Sequence, residues 1–128
     1  MKGYVQVYTG NGKGKTTAAI GLAIRAAGAG KRVFIGQFVK GMHYSEIDAL
    51  KVLSDHITLK QYGRECFIYS EPTQEDIRVA RQGLEEVKSV TASGRYDVVI
   101  LDEANIAIYF RLFTVEELLE LIPPDRNM

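Results

Sequence analysis

The sequence predicts an α/β domain built on a parallel sheet, in three layers with helices on both faces. Three observations predict it. A β-rich segment, Tyr4 to Tyr8, runs through a glycine-rich turn into an alanine-rich helical stretch, and an apolar run follows at Val33 to Val39; this is the order of a βαβ unit. Val33 to Val39 has no alternation of polar residues, as suits a strand covered on both faces. Val98-Val99-Ile100-Leu101 is a second such run, and it ends in two acids, Asp102 and Glu103.

Taken in order, Tyr4–Tyr8 is a short strand and Thr16–Ala27 a helix carrying Ile20, Leu22 and Ile24, which Gly28 and Gly30 stop. Lys40 to Tyr44 is a loop. Ser45, with Asp48 three residues on, opens a short helix through Leu53. Ile57–Tyr62 alternates well enough for a strand near a sheet edge, and Gly63–Pro72 is irregular. Thr73 with Asp76 caps a helix in which Ile77, Ala80, Leu84, Val87 and Thr91 recur at helical spacing, and Gly94 ends it. Thr114 with Glu117 caps a last helix through Ile122, stopped by Pro123 and Pro124. With 128 residues and 46% hydrophobic content, residues 1–128 are expected to form one domain with its own core.

The chemistry is concentrated in Thr9-Gly10-Asn11-Gly12-Lys13-Gly14-Lys15-Thr16-Thr17, a glycine loop between strand and helix. Glycines at 10, 12 and 14 let backbone N–H groups close on an anion without a Cβ in the way. The following helix adds the unpaired N–H groups and positive dipole end of its first turn. Lys15 can then reach terminal phosphates and the Thr16 hydroxyl a Mg²⁺ ion, so the run reads as a triphosphate cradle. It departs from G-x-x-x-x-G-K-[ST] at the opening position, where Thr9 replaces glycine. The run is a variant of the P-loop, and the expected fold is P-loop NTPase-like, of the RecA-like kind.

Open parallel sheets place ligands at the carboxyl ends of their strands, which puts Asp102 and Glu103 on the same rim as the loop. Asp102 is expected to serve Mg²⁺ directly or through water. Glu103 fits three roles: a contact to the metal's water, a base, or an acceptor for nearby backbone. His43 and His56 lack metal-ligand spacing and read as surface residues, and Cys66, the single cysteine, as a packing thiol. Tyr62, Phe67 and Tyr69 could line a pocket for a flat ligand or anchor a loop to the core.

Sixteen basic residues balance sixteen acidic ones, which is not the charge of a dedicated nucleic-acid binder. One cysteine allows no internal disulfide. Met1-Lys2-Gly3 leading into the first strand does not read as a signal peptide, and no apolar run approaches the ~20 residues of a membrane span. A cytoplasmic protein is expected.

With these motifs placed, the chain resembles the P-loop branch of the ATP:corrinoid adenosyltransferases. The likeness rests on Thr9 to Thr17, Gln37-Phe38-Val39-Lys40-Gly41, the Glu46 region, Gly63 to Phe67, and Val99 to Glu103. The resemblance implies transfer of the 5′-deoxyadenosyl group of ATP to the Co(I) of a reduced corrinoid, with release of triphosphate. It implies that the loop amides, Lys15 and, as a helper, Lys13 bind the triphosphate, that Thr16, Asp102 and Glu103 manage Mg²⁺, and that Lys15 and Glu103 are catalytic. It further implies that Phe67 contacts the corrinoid, that the nucleotide lies reversed relative to common P-loop enzymes, and that a flavoprotein reductase supplies electrons. Family members continue past Pro123 with a further strand, so C-terminal strands are expected to be missing here, and a homodimer is expected to cover the sheet. A generic P-loop NTPase or small-molecule kinase, and a non-catalytic nucleotide-binding module, are the competing readings.

Overall fold

Val33–Phe38 forms the central strand, β1, and all six of its residues are buried. The computed structural model describes residues 15–38, 45–52, 55–63 and 73–121. β1 is flanked by β2 (Ile57–Tyr62) and β3 (Val98–Asp102), both parallel to it, giving the order β2-β1-β3. Side chains alternate between the faces of a strand. Val33 and Ile35 therefore enter one cluster, with Ala23, Ala27, Leu50 and Ile57, while Phe34 and Phe38 enter another, with Tyr62, Ala80, Leu84, Val87, Leu112 and Phe113. Helices α1 (Lys15–Gly28) and α2 (Ser45–Lys51) cover the first face. Helix α3 (Gln74–Ser93), with α4 (Ala104–Tyr109) and α5 (Val115–Leu119), covers the second. The three-layer α/β/α expectation holds.

The helix ends follow their capping chemistry. Thr73 Oγ1 accepts from the Asp76 backbone N–H at 3.2 Å while Asp76 Oδ2 accepts from the Thr73 N–H at 2.8 Å, and Gly94, at φ 72°, turns the chain out of α3. Of the expected apolar stripe, Ala80, Leu84 and Val87 are buried and Ile77 and Thr91 half-buried. Helix α1 runs to Gly28 and stops at Gly30, φ 83°, where the Lys31 N–H reaches the Ala26 carbonyl at 3.0 Å.

Four details differ from expectation. Helix α4 was not foreseen: no Ser, Thr, Asp or Asn cap precedes it, because its N-cap is Glu103 at φ 64° without a side-chain capping bond. Helix α5 ends at Leu119 rather than Ile122, its final turn tightened by a bond from the Leu121 N–H to the Leu118 carbonyl at 3.1 Å. Helix α2 ends at Lys51. Val98 to Leu101 are half-buried rather than buried. The expected strand Tyr4–Tyr8 and the segments 39–44, 53–54, 64–72 and 122–128 lie outside the described residues.

Helix α3 lies close to the sheet because of one glycine. A Cβ on Gly83 would stand 2.3 Å from Cγ of Tyr62, and one on Gly36 would stand 3.2 Å from Cε2 of the same ring. The Tyr62 ring thus fills the space between strand and helix, and its hydroxyl donates to Glu86 Oε1 at 2.7 Å. Tyr62 anchors the core rather than lining an open pocket. Burial pushes its phenol up, and its bond to Glu86, with Lys60 Nζ 2.9 Å away, holds the Glu86 carboxyl below its ordinary value.

Gly83→Ala is expected to destabilise the fold by about 1–3 kcal/mol or more, because the ring cannot move without displacing the core. Gly21→Ala is the control. It sits exposed in α1 with nothing within 4 Å of an added Cβ, and it should stabilise by about 0.5–1 kcal/mol. Urea unfolding of both variants tests the pair. For Glu86, the folded pKa lies below the unfolded one, so its contribution is in place above about pH 4.3 and is lost as pH falls through the folded value. The Glu86 side chain is 40% exposed, so the effect is small. Glu86→Gln should lower the neutral plateau of a Tm-against-pH curve slightly and so flatten its acid limb, the two curves converging at low pH.

Candidate nucleotide site at the carboxyl ends of the strands

The register of the sheet sets three polar side chains in one row. Gln37 of β1 stands opposite Gln61 of β2 and Asp102 of β3. Counting by twos from Val33 and Ile35, from Ile57 and Leu59, and from Val98 and Ile100 places all three on the face that α1 covers. The row is hydrogen-bonded along its length. Gln61 Nε2 donates to Gln37 Oε1 at 3.2 Å, and Gln37 Nε2 donates to Asp102 Oδ2 at 3.2 Å. Gln37 and Asp102 are 1% and 6% exposed, so these bonds offset what would otherwise be a costly burial of an amide and a carboxylate.

Helix α1 brings its first turn to the same rim. Its fourteen residues span about 21 Å, close to the length of a six-residue strand. It packs on β1 and β3, and its far end joins the beginning of β1 through Ala29–Arg32. Its start, with Lys15 and Thr16, therefore lies toward the carboxyl ends of the strands, and no acidic residue occupies that first turn. The positive end of a helix dipole favours an anion.

Of the residues expected to act, Asp102 is the last residue of β3, neither a helix cap nor a solvated loop residue. Glu103 follows in a left-handed conformation, φ 64° and ψ 19°, half-buried, the N-cap of α4 by its backbone and without a side-chain capping bond. Lys15 and Thr16 open α1, and Thr17 is exposed on it. Thr9, Gly10, Asn11, Gly12, Lys13, Gly14 and Phe67 lie outside the described residues, as do His43, Cys66 and Tyr69. His56 is exposed, as a surface residue should be. Among the described residues no group of three His, Cys, Asp or Glu side chains could hold a metal by itself. That donor set still suits Mg²⁺, which takes one or two carboxylates and completes its shell with phosphate oxygens and water.

A shallow cleft lined by Arg32, Asp55, His56 and Arg95 lies at the opposite edge of the sheet, before the strands begin. It is not where an open parallel sheet binds its ligand. Gln37 as the partner of Asp102, and Gln61 as the partner of Gln37, were not foreseen. The available signal was a glutamine two residues beyond Val33 and Ile35 in an apolar strand, but its partners are visible only once the register is known.

The sequence pattern of the ATP:corrinoid adenosyltransferase family (BtuR/CobO/CobP) matches residues 1–128. The chain belongs to this family. The corrinoid adenosyltransferase of Escherichia coli K12 is 34% identical over 94% of this chain, and that of Salmonella typhimurium 33% identical over 94%. An uncharacterised protein of Nostoc sp. is 35% identical over 92%. The chain spans 61% of the length of the first two and 34% of the third. As a member of the adenosyltransferase family, it has the parallel α/β architecture of a P-loop NTPase-like domain.

Asp102→Ala leaves the Gln37 N–H without its acceptor in a buried place, and should cost about 1–3 kcal/mol of stability with no ligand present. Asp102→Asn keeps an acceptor and should cost less. Chemical denaturation of the two variants side by side measures the difference.

Proposed function

We propose that this chain transfers the 5′-deoxyadenosyl group of ATP to the Co(I) of a reduced corrinoid and releases triphosphate. The observation that carries the reading is the family match along residues 1–128, joined to a buried carboxylate, Asp102, on the rim where α1 begins. In this reading the backbone N–H groups of Asn11 to Thr17 and the ammonium of Lys15 hold the triphosphate, assisted by Lys13. Their work is to stabilise the negative charge that grows on the leaving oxygen, and to place the 5′ carbon for attack. Thr16 and Asp102, with Glu103 beside them, would hold Mg²⁺, which when bound neutralises part of the triphosphate charge. Phe67 faces the corrinoid, and Glu103 orients a water or accepts a proton at the rim. The departure at Thr9 goes with a nucleotide held for loss of its whole triphosphate rather than transfer of its γ-phosphate.

The electron donor in this reading is a flavoprotein reductase, the protein works in the cytoplasm as a homodimer, and cobalamin biosynthesis or salvage is its setting. No helix among the described residues is long and apolar enough to cross a membrane.

Incubation with ATP, Mg²⁺ and chemically reduced corrinoid should yield triphosphate and adenosylcorrinoid. Appearance of ADP instead would replace this reading with that of an NTPase or kinase, and no product of either kind with that of a nucleotide-binding module. Lys15→Ala should weaken transition-state stabilisation by about 2–4 kcal/mol, read as kcat/KM. An unchanged value would remove Lys15 from its role.

A further inference from the structure

The geometry points to Gln37, held by Gln61, as a positioning residue that sets the orientation of the Asp102 carboxylate toward a cation bound with the triphosphate. The inference rests on the reading that Asp102 serves the Mg²⁺ of ATP.

Gln37 is out of place for packing alone. It is 1% exposed in a strand whose neighbours on the same face, Val33 and Ile35, are apolar. A buried primary amide is tolerated where both of its ends are satisfied, and here both are. The bonds also give the row a direction. Because Gln37 Oε1 receives the Gln61 N–H, the amide can offer Asp102 only its N–H. Turning the amide over would set carbonyl against carboxylate on one side and two donors against each other on the other. The Asp102 carboxylate is thereby met at Oδ2 by a donor mounted on the neighbouring strand.

That tie matters for a cation with strict geometry. Mg²⁺ demands near-octahedral coordination at about 2.0–2.1 Å, so a carboxylate swinging about its χ angles binds it poorly. Groups that hydrogen-bond a metal's ligand orient it, and removing them typically costs about 10–100-fold in metal affinity. Gln37 has the placement for this task. The two parallel ladders hold the Cα atoms of residues 61, 37 and 102 abreast, and Gln61 limits the freedom of the middle amide from the neighbouring strand.

The test is ATP binding by calorimetry, on the full chain, across a Mg²⁺ series and in EDTA. Gln37→Leu should raise the Mg²⁺ concentration for half-maximal enhancement by about 10–100-fold while leaving metal-free ATP binding unchanged. Gln61→Leu, on the half-exposed strand, should shift it in the same direction by less. Asp102→Asn should shift it at least as far as Gln37→Leu, and the double variant Gln37→Leu/Asp102→Asn no further than Asp102→Asn alone. If Asp102→Asn shifts the half-point and Gln37→Leu does not, the positioning role is wrong while the Mg²⁺ reading of Asp102 stands. If Asp102→Asn leaves it unchanged, that reading fails and the inference with it. Equal weakening of ATP binding with and without Mg²⁺ in Gln37→Leu would show a merely structural role and overturn the proposal. Should Gln37→Leu not fold, Gln61→Leu decides: an unmoved half-point overturns the inference.

Discussion

Burial of β1 on both faces and pairing on both edges is the constraint from which the rest of this structure follows. Its six residues must satisfy two cores at once, Val33 and Ile35 against α1 and α2, Phe34 and Phe38 against α3 and α4. Its backbone is hydrogen-bonded to β2 and β3 in register along its length. No side chain on β1 can therefore change its position without moving a layer. That rigidity makes the carboxyl end of the strand a dependable place to mount a polar group, and Gln37 stands there.

The second core transmits the same rigidity to the turn after β3. The ring of Phe38 packs at 5.3 Å from that of Tyr62 and at 5.1 Å, edge on, from that of Phe113. Ala104 and Ala107 of α4 are buried in the same cluster, as are Leu112 and Phe113. Arg81 of α3 grips Glu117 of α5 through two bonds, at 2.6 and 3.2 Å, while Glu117 caps its own helix. The exposed ion pair adds little energy; Leu118 of α5 and the buried Leu121 that follows it pack in the same apolar cluster as α3. The left-handed residue Glu103 is thus held between an anchored strand and an anchored helix. Its strained backbone, typically about 1–3 kcal/mol, is sustained by packing on both sides of it.

Much of this was legible from sequence where a local chemical rule sets the structure. The capping pairs Thr73 with Asp76 and Thr114 with Glu117 are both formed as read. The apolar runs at 33 and 98 became the strands expected of them, in parallel pairing. Features set by distant contacts were not legible. Gly83 carries no signal in the sequence, yet it is the surface on which the Tyr62 ring lies. Helix α4 lacks a cap signal and forms because its alanines find a core to enter. On the candidate site, Asp102 could be picked out as an acid at a strand tip, whereas its partner Gln37, 65 positions away, and Gln61, which bonds Gln37, depend on register and so on the whole sheet.

Stability alone does not account for the row Gln61-Gln37-Asp102. A net gain of about 0.5–1.5 kcal/mol for the neutral bond and about 1.5–3 kcal/mol for the charged one is set against the desolvation of two amides and a carboxylate. Replacing paired buried polar groups by apolar ones of similar shape is often neutral or favourable. Apolar side chains at 37 and 102 would continue the pattern that Val33, Ile35, Val98 and Ile100 already establish on that face. The polar row is explained by what it allows: a carboxylate met by a fixed donor and largely out of water at the rim where α1 begins. Its place at the last residues of the strands follows from the same physics, because there the sheet's demand for apolar packing ends while its backbone still holds each side chain in line.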